Sequence, residues 1–439
     1  MTELTFYYLS RPEATILRSL SILFLLIAIA TTLQAQSVFV RQGVIDLRQW
    51  NFKEQGNVHL NGEWGFYMSQ LIPPDSFPAI SNVQDYIYFP STWNESSKSL
   101  QPGKGYATYH LTVLLSKPQQ LTLEVPHFYS SYALWINKKL TSSNGIVGRS
   151  KETSIPQWLP KTVSIPVSDD TLDIVIHASN YRHAKGGVRQ SIIIGLHENL
   201  NFKRNVAVNS NIILIVLLGC LSGAFLFTYI FYKRNITSIY FSLLCFTWAI
   251  RAIFSNLYIL TVKYPEIPWE LCVKIEYITL YLAMVWAVFF LSSLFPEDVN
   301  TLFKYFFIGC NIIFVLCTVF TEASLYTQFL PVYLSFTLVL LLYSIYVLVR
   351  AVVYEREGVW YIVSSVMLGI SVFTYDLIAY QGWAFFNSII TNFGYAVIFI
   401  LLSMCLLYHI GMLKRTVPSQ DILTFDDLYG GKPSQKNVM

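Results

Sequence analysis

The stretch VAVNSNIILIVLLGCLSGAFLFTYIF, residues 206–231, carries no charged side chain from end to end. At a rise of ~1.5 Å per residue it is long enough to cross the ~30 Å hydrocarbon core of a bilayer as one helix. Six more apolar stretches follow, at residues 237–260, 271–295, 302–320, 327–350, 359–381 and 388–411. Each is close to the ~20 residues a spanning helix needs. The expected architecture is therefore a seven-helix membrane bundle over residues 206–411. A non-membrane domain precedes it (residues 36–200) and a short tail follows (residues 412–439).

Composition agrees. Of 439 residues, 54% are hydrophobic and only 13% charged, against about 25% charged in soluble proteins. A net charge of +4 with no dense basic run excludes a nucleic-acid partner. All six cysteines (Cys220, Cys245, Cys272, Cys310, Cys317, Cys405) lie in or beside the apolar stretches. The preceding domain must accordingly hold together by a packed core, without disulfides.

Residues 1–35 read as a secretory signal. Arg11 and Arg18 precede the apolar core SLSILFLLIAIA (Ser19–Ala30), and Leu33-Gln34-Ala35 offers cleavage before Gln36. An uncleaved anchor is the alternative, because leucine at the −3 position is imperfect. Charge bias gives the same direction. With the amino terminus outside, the inner loops and tail hold Lys233, Arg234, Lys304, Arg350, Arg356, Lys414 and Arg415, while the outer loops hold essentially Lys263. The expected location is the cytoplasmic membrane, amino-terminal domain periplasmic or extracellular, carboxyl terminus inside.

Residues 36–200 alternate polar with apolar. The runs LTVLL, LTLEV, YALWI, LDIVI and SIIIGL are separated by Pro, Gly, Asn and Asp clusters, the pattern of an all-β sandwich. Asn137-Lys138-Lys139 after YALWI is a hairpin-type turn, and Asp169-Asp170 precedes LDIVI in the same way. The histidines of this domain (His59, His110, His127, His177, His183, His197) have no metal-ligand spacing, and no cofactor is indicated. If the sandwich binds a small molecule or saccharide, Trp93, Tyr106 and Trp158 are turn-adjacent aromatics to do it. The polar loop 181–187 adds Arg182, His183 and Lys185 beside Gly186-Gly187. Two other readings compete. Trp93 and Tyr106 belong to the core and the loop is solvated, or the loop contacts the helices below it.

The second, third and sixth stretches carry ionisable residues well inside their apolar runs: Arg251, Lys274, Glu276 and Asp376. All lie toward the outer third of the membrane. Such residues are functional candidates because lipid penalises them. The alternatives are structural ion pairs, or a snorkelling Lys274. Lys274 and Glu276 do not share a helix face, so each needs its own partner. Arg251 with Asp376 is the first pair to draw.

GEWGFY (Gly62–Tyr67), FPSTWN (Phe89–Asn94), GYATYHLTV (Gly105–Val113), YALWINKKL (Tyr132–Leu140) and LDIVIHASNYRHAKGGVRQSIIIG (Leu172–Gly195) occur in that order. The set resembles a galactose-binding-type jelly roll. YFSLLCFTWAIRAIFSN (Tyr240–Asn256) and KIEYITLYLAMVWAVFFLSSLFPEDV (Lys274–Val299) resemble the second and third helices of the bacterial seven-transmembrane receptors with diverse intracellular signalling modules. The resemblance implies a receptor that senses an extracellular, carbohydrate-like ligand and relays it inward. Family members usually continue into an enzymatic output module. Here residues 412–439 leave no room for one, and Pro418 breaks any continued helix. Output then passes to a separate cytoplasmic signalling protein, with Ile422–Tyr429 as a docking peptide, or through rearrangement of a homodimer.

Competing functions are less well served. An enzyme would need placed catalytic groups, and glycosidase chemistry needs two carboxylates in a cleft. A transporter wants broken helices or repeats around a midplane site; no repeat is evident, and Pro331 is the only proline placed to bend a helix. A retinal protein needs a lysine deep in the bundle, and none lies between Asn387 and Gly411. An envelope assembly or anchor protein shares every feature with the receptor except signalling.

Overall fold

In the computed structural model the described residues are 38–79, 83–95, 103–165, 169–232, 234–255, 257–356, 358–380 and 387–416. The signal segment, its cleavage site, Lys233 and the docking peptide Ile422–Tyr429 lie outside them.

The central pair of strands shows why the amino-terminal half folds as it does. β5 (Gly105–Leu115) and β10 (Thr171–Asn180) run antiparallel in continuous register from Thr171 opposite Leu114 to Asn180 opposite Gly105. On β10, Leu172, Ile174, Ile176 and Ala178 point into the core. The intervening Asp173, Val175 and His177 face the other way, as period-two alternation requires. That second face is covered too. Val175 packs with Tyr67, Ile72 and Phe77, the His177 ring lies 2.7 Å from the Ile72 carbonyl oxygen, and His110 pairs with Asp173 at 2.6 Å.

Around this pair the larger sheet runs β4 (Asp85–Phe89), β3 (Gly62–Met68), β5, β10, β7 (Ser131–Ile136), β8 (Lys139–Asn144), with β1 (Val44–Leu47) parallel to β5. A smaller sheet of β2 (Val58–His59), β11 (Ile193–Gly195), β6 (Leu121–Val125) and β9 (Lys161–Ile165) closes the sandwich. Asn137 and Lys138 both take positive φ (47° and 68°) between Ile136 and Lys139, which are paired. That is the two-residue turn whose twist suits a hairpin. The core between the sheets is aromatic: Trp64, Phe89, Trp93, Tyr109, Phe128 and Tyr132 are fully buried. Their polar edges are satisfied, Trp64 Nε1 by the Leu60 carbonyl at 2.9 Å and Trp93 Nε1 by the Tyr109 hydroxyl.

Among the described residues, seven helices are long and apolar enough to cross a membrane. They are α1 (His197–Phe227, continued by a π turn Thr228–Tyr232), α2 (Ile236–Phe254), α3 (Trp269–Leu294), α4 (Thr301–Phe320), α5 (Leu330–Val353), α6 (Val359–Tyr380) and α7 (Ser388–Thr416). α1 starts at His197, earlier than the apolar run, and only Leu196 separates it from β11. Its first turns lie along the smaller sheet, where His197 Nδ1 is 3.2 Å from the Thr122 hydroxyl and Arg204 donates to Thr162 Oγ1 at 2.6 Å. α2 ends at Phe254 because Ser255 turns extended and its hydroxyl donates back to the Arg251 carbonyl. A short helix, Ile259–Lys263, follows. Pro331 does not bend a helix: it sits in the first turn of α5, where its missing N–H has no partner to lose.

Inside the bundle, polar side chains bond across helices. Asn211 donates to the Ala252 carbonyl at 2.9 Å, Ser222 and Ser242 exchange bonds with each other's helix, and Asn392 donates to Ser210 at 3.0 Å. Such bonds hold helices together where lipid supplies no hydrophobic drive between them. At the end away from the sandwich, buried Asp298 lies 3.5 Å from Arg350 and 3.1 Å from Arg356, and Arg356 also pairs with Glu297.

Trp64 is the sharpest test of the sandwich core. Trp64→Ala removes its packing and the bond to Leu60, at a cost of ~3–5 kcal/mol. The expected result is a clear drop in the thermal midpoint of the full-length protein in detergent, by intrinsic fluorescence; an unchanged midpoint would contradict this packing.

Candidate functional site at the joint between sandwich and helices

Two hubs in the sandwich shape the loops that reach the helices. At the end of β10, the carbonyls of Gly103 (2.6 Å), His183 (2.8 Å) and Lys185 (2.9 Å) share the two hydrogens of Asn180 Nδ2, and its Oδ1 accepts from His183 N–H. This folds residues 181–187 into a fixed loop. Gly186 is required there, because a Cβ would fall 2.2 Å from the Gly103 carbonyl and 2.6 Å from the Trp93 ring. The neighbouring Ser179 hydroxyl collects Ser131 (2.8 Å), Ser154 (2.9 Å) and the Gly148 N–H (3.1 Å), and so fixes the loop carrying residues 145–157.

Both loops dock on the helical half. The Ala184 N–H donates to Thr327 Oγ1 at 3.0 Å, in the turn before α5. Gln157 donates to the Pro265 carbonyl at 3.4 Å, and Lys151 pairs with Glu322 at 2.8 Å. That ion pair is 43% and 63% exposed, so it contributes at most ~1 kcal/mol. The larger contribution is aromatic. Trp158 meets Trp269, the first residue of α3, edge to face with ring centres 5.5 Å apart, and Tyr258 at 5.6 Å. His127 lies 5.0 Å from Trp158 and 5.2 Å from Tyr258, and His183 stacks on Tyr129 at 4.7 Å. Trp158, Tyr258 and Trp269 continue into one buried cluster with Tyr277, Tyr281, Tyr326 and Tyr333 of the bundle.

Burial sets the protonation of this joint. It holds the His127 imidazole down to about 4 and His183 to about 3, so both rings are neutral near pH 7. Burial first, and the positive charge of Arg189 second, bring the Lys185 ammonium down to about 7. Buried polar atoms at or beside this joint that have no hydrogen-bond partner among the described residues include Trp158 Nε1, Trp269 Nε1, His127 Nδ1 and Tyr326 Oη.

Directly beneath, Arg251 of α2 donates to the Glu276 carbonyl of α3 at 2.6 Å, and Arg251 and Tyr258 are the polar neighbours of the Glu276 carboxylate. Arg251 and Asp376 do not form the expected ion pair. Asp376 instead accepts from Thr391 at 3.0 Å and from Tyr395 at 3.4 Å, both on α7. Tyr395 in turn packs on Trp248 of α2 at 4.9 Å. Hydroxyls from the adjacent helix thus supply what the guanidinium was expected to. Lys274 turns to the bundle edge, 3.8 Å from Glu270 and 3.1 Å from the Val319 carbonyl.

The expected ligand set is therefore divided. Trp93 is a core residue, bonded to Tyr109, and lines no surface. Tyr106 is half-buried on β5, and Arg182 sits in the docked loop with its Nε buried and unpartnered. Trp158, His183 and Lys185 belong to the joint. The reading in which loop 181–187 contacts the helices is the one observed. Sequence reasoning passed over His127, Tyr258 and Trp269. A tryptophan directly after Pro268 at the mouth of a span was an available signal, since indoles favour boundaries where one edge is apolar and the other wet.

Residues 210–409, nearly the whole bundle, match the family described as 7TM diverse intracellular signalling. The seven-helix region belongs to that family. A 7TM diverse intracellular signalling region marks a membrane sensor that addresses intracellular modules, and the seven helices make the chain a multi-pass membrane protein. Among curated proteins none matches the chain. Among solved structures it is similar to a family 2 β-galacturonidase from Eisenbergiella tayi (12% identity, 32% of this chain and 24% of that one, TM-score 0.24). It is also similar to a family 2 glycosyl hydrolase from Bacteroides cellulosilyticus (11%, 32% and 20%, TM-score 0.26) and a Bacteroides uniformis β-glucuronidase (16%, 31% and 17%, TM-score 0.25). The chain spans about a quarter or less of the length of these proteins, and nothing of their activity is carried over.

The neutral imidazoles predict a pH dependence. Their folded-state pKa values lie below the ordinary 6.5, so the unfolded chain binds more protons between the two values and stability falls as pH drops from 6.5 toward about 4. For His127 the full loss is about 3 kcal/mol. Thermal midpoints of the full-length protein from pH 7 to 4 should fall, and His127→Phe should make that fall shallower. Parallel curves for the two proteins would show that His127 does not titrate against burial.

Proposed function

We propose that the chain is a receptor whose sandwich, residues 36–200, lies outside the cytoplasmic membrane and binds a small molecule or saccharide. The signal then passes through the helices of residues 206–411 to a separate cytoplasmic signalling protein. One observation carries this reading: the sandwich grips the bundle through buried aromatic rings, with Trp158 on Trp269, immediately above the Arg251–Glu276 contact. A sandwich that only anchored a polymer would have no need of a desolvated joint over intramembrane charges. Positive residues favour the direction, since Arg234, Lys304, Arg350 and Arg356 all lie at the end away from the sandwich.

In this reading a ligand that shifts loops 145–157 or 181–187 alters the packing of Trp158, and the movement reaches α2 and α3 at Arg251 and Glu276. Tyr395 and Asp376 extend the path to α6 and α7 through Trp248.

Hydrogen exchange tests it on the full-length protein in nanodiscs with a panel of mono- and oligosaccharides. A binding saccharide should slow exchange in the sandwich and change it at residues 294–302 and 350–358 at the far end. Arg251→Gln and Trp158→Ala should keep the first effect and lose most of the second. Equal far-end responses in both variants would sink the relay, and a sandwich indifferent to the whole panel would sink the saccharide.

A further inference from the structure

A second feature of the sandwich's lower edge is a groove of about 490 Å³ between β8, β9, the start of α1 and the short helix Ile259–Lys263. Its cations are Lys161 and Arg204, and its lining holds no carboxylate. Lys161 donates to the Ser143 carbonyl and Arg204 to the Thr162 hydroxyl. Lysine has three donor hydrogens and arginine five, so each cation keeps further donors for a ligand. Half-burial lowers the Lys161 pKa, with desolvation the only cause, and an anion in the groove would relieve that penalty.

Position and shape say what kind of anion. Arg204 stands two residues before Val206, where α1 becomes continuously apolar. The lining also includes Leu140 and Val262, 54% and 40% exposed. The groove thus sets two cations, Lys161 of β9 and Arg204 of α1, beside exposed apolar side chains of β8 and the short helix, level with the start of the spanning helices. A soluble phosphate would use only half of it. We propose that it is a binding site for the phosphate headgroup of an anionic phospholipid from the adjacent leaflet. Lys161 and Arg204 hold the phosphate oxygens, and the lipid's apolar portion lies against Val262. The bound lipid joins β8 and β9 to α1 independently of the aromatic joint.

Native mass spectrometry and thermal midpoints of the full-length protein in detergent test this with phosphatidylglycerol, phosphatidylcholine and soluble glycerol 3-phosphate. Phosphatidylglycerol should be retained and raise the midpoint, the other two should not. Charge-assisted bonds of this kind set the scale, and the Lys161→Gln/Arg204→Gln double variant should bind phosphatidylglycerol roughly tenfold more weakly. Should that variant fail to fold, Val262→Asp leaves both cations in place and should also repel the lipid, while Arg204→Lys should keep most of the binding. Equal retention of the two lipids, or undiminished phosphatidylglycerol binding in the double variant and in Val262→Asp, would overturn the site. Binding of glycerol 3-phosphate as tight as that of the lipid would overturn the lipid as its occupant. None of these outcomes depends on the sandwich having a saccharide ligand.

Discussion

Two bodies with opposite demands on solvent meet in this chain, and everything else depends on how they meet. A β-sandwich tolerates water on its outer faces, whereas the mouth of a helix bundle carries intramembrane charges that must be kept dry or paired. The contact of Trp158 with Trp269 resolves the conflict by interposing large, flat, weakly polar surfaces. Indole, imidazole and phenol rings bury much apolar area while keeping an edge that can donate. Such groups seal most of the joint without full charges, and the neutral state of His127 and His183 follows from the same burial.

Sealing the joint also explains the arrangement around Arg251. A guanidinium in an apolar helix cannot be left bare, and Arg251 donates to the Glu276 carbonyl one helix away. With that bond made, Asp376 needs no cation, because two hydroxyls of α7 reach it first. At the opposite end the same economy appears with signs reversed. Asp298 is the buried member, and two arginines at and beyond the end of α5 converge on it from partly exposed positions. Between the two ends the bundle relies on packing and short Asn and Ser bonds, so its polar strength is concentrated where neighbouring groups must respond to it.

Much of the architecture was legible in the sequence because it rests on periodicity. Period-two runs such as LTVLL and LDIVI have one geometry that buries their apolar face, and long uncharged runs have one that satisfies their backbone in lipid. The Asn137-Lys138 turn was readable for the same local reason. The site was legible in residue type but not in partnership. Trp158 and Trp93 look alike in sequence, each an aromatic beside a turn, yet one enters the joint and the other the core. Which charge meets which depends on the rotation of each helix about its axis, and depth along the axis alone does not give it. Asp376 shows this, since the register of α7 against α6 decided its partners.

The single-residue link between β11 and α1 has a mechanical consequence. Leu196 leaves no slack between Gly195 and His197, so a strand paired on both sides in the smaller sheet is welded to the root of a long rod. At ~1.5 Å per residue the rod is roughly 46 Å long. A tilt of about 5° at its root would sweep its tip through roughly 4 Å, about three-quarters of the ~5.4 Å rise of a helical turn. The sandwich thus holds the short arm of a lever whose long arm passes through the bundle, and a displacement of β11 is magnified toward the far end.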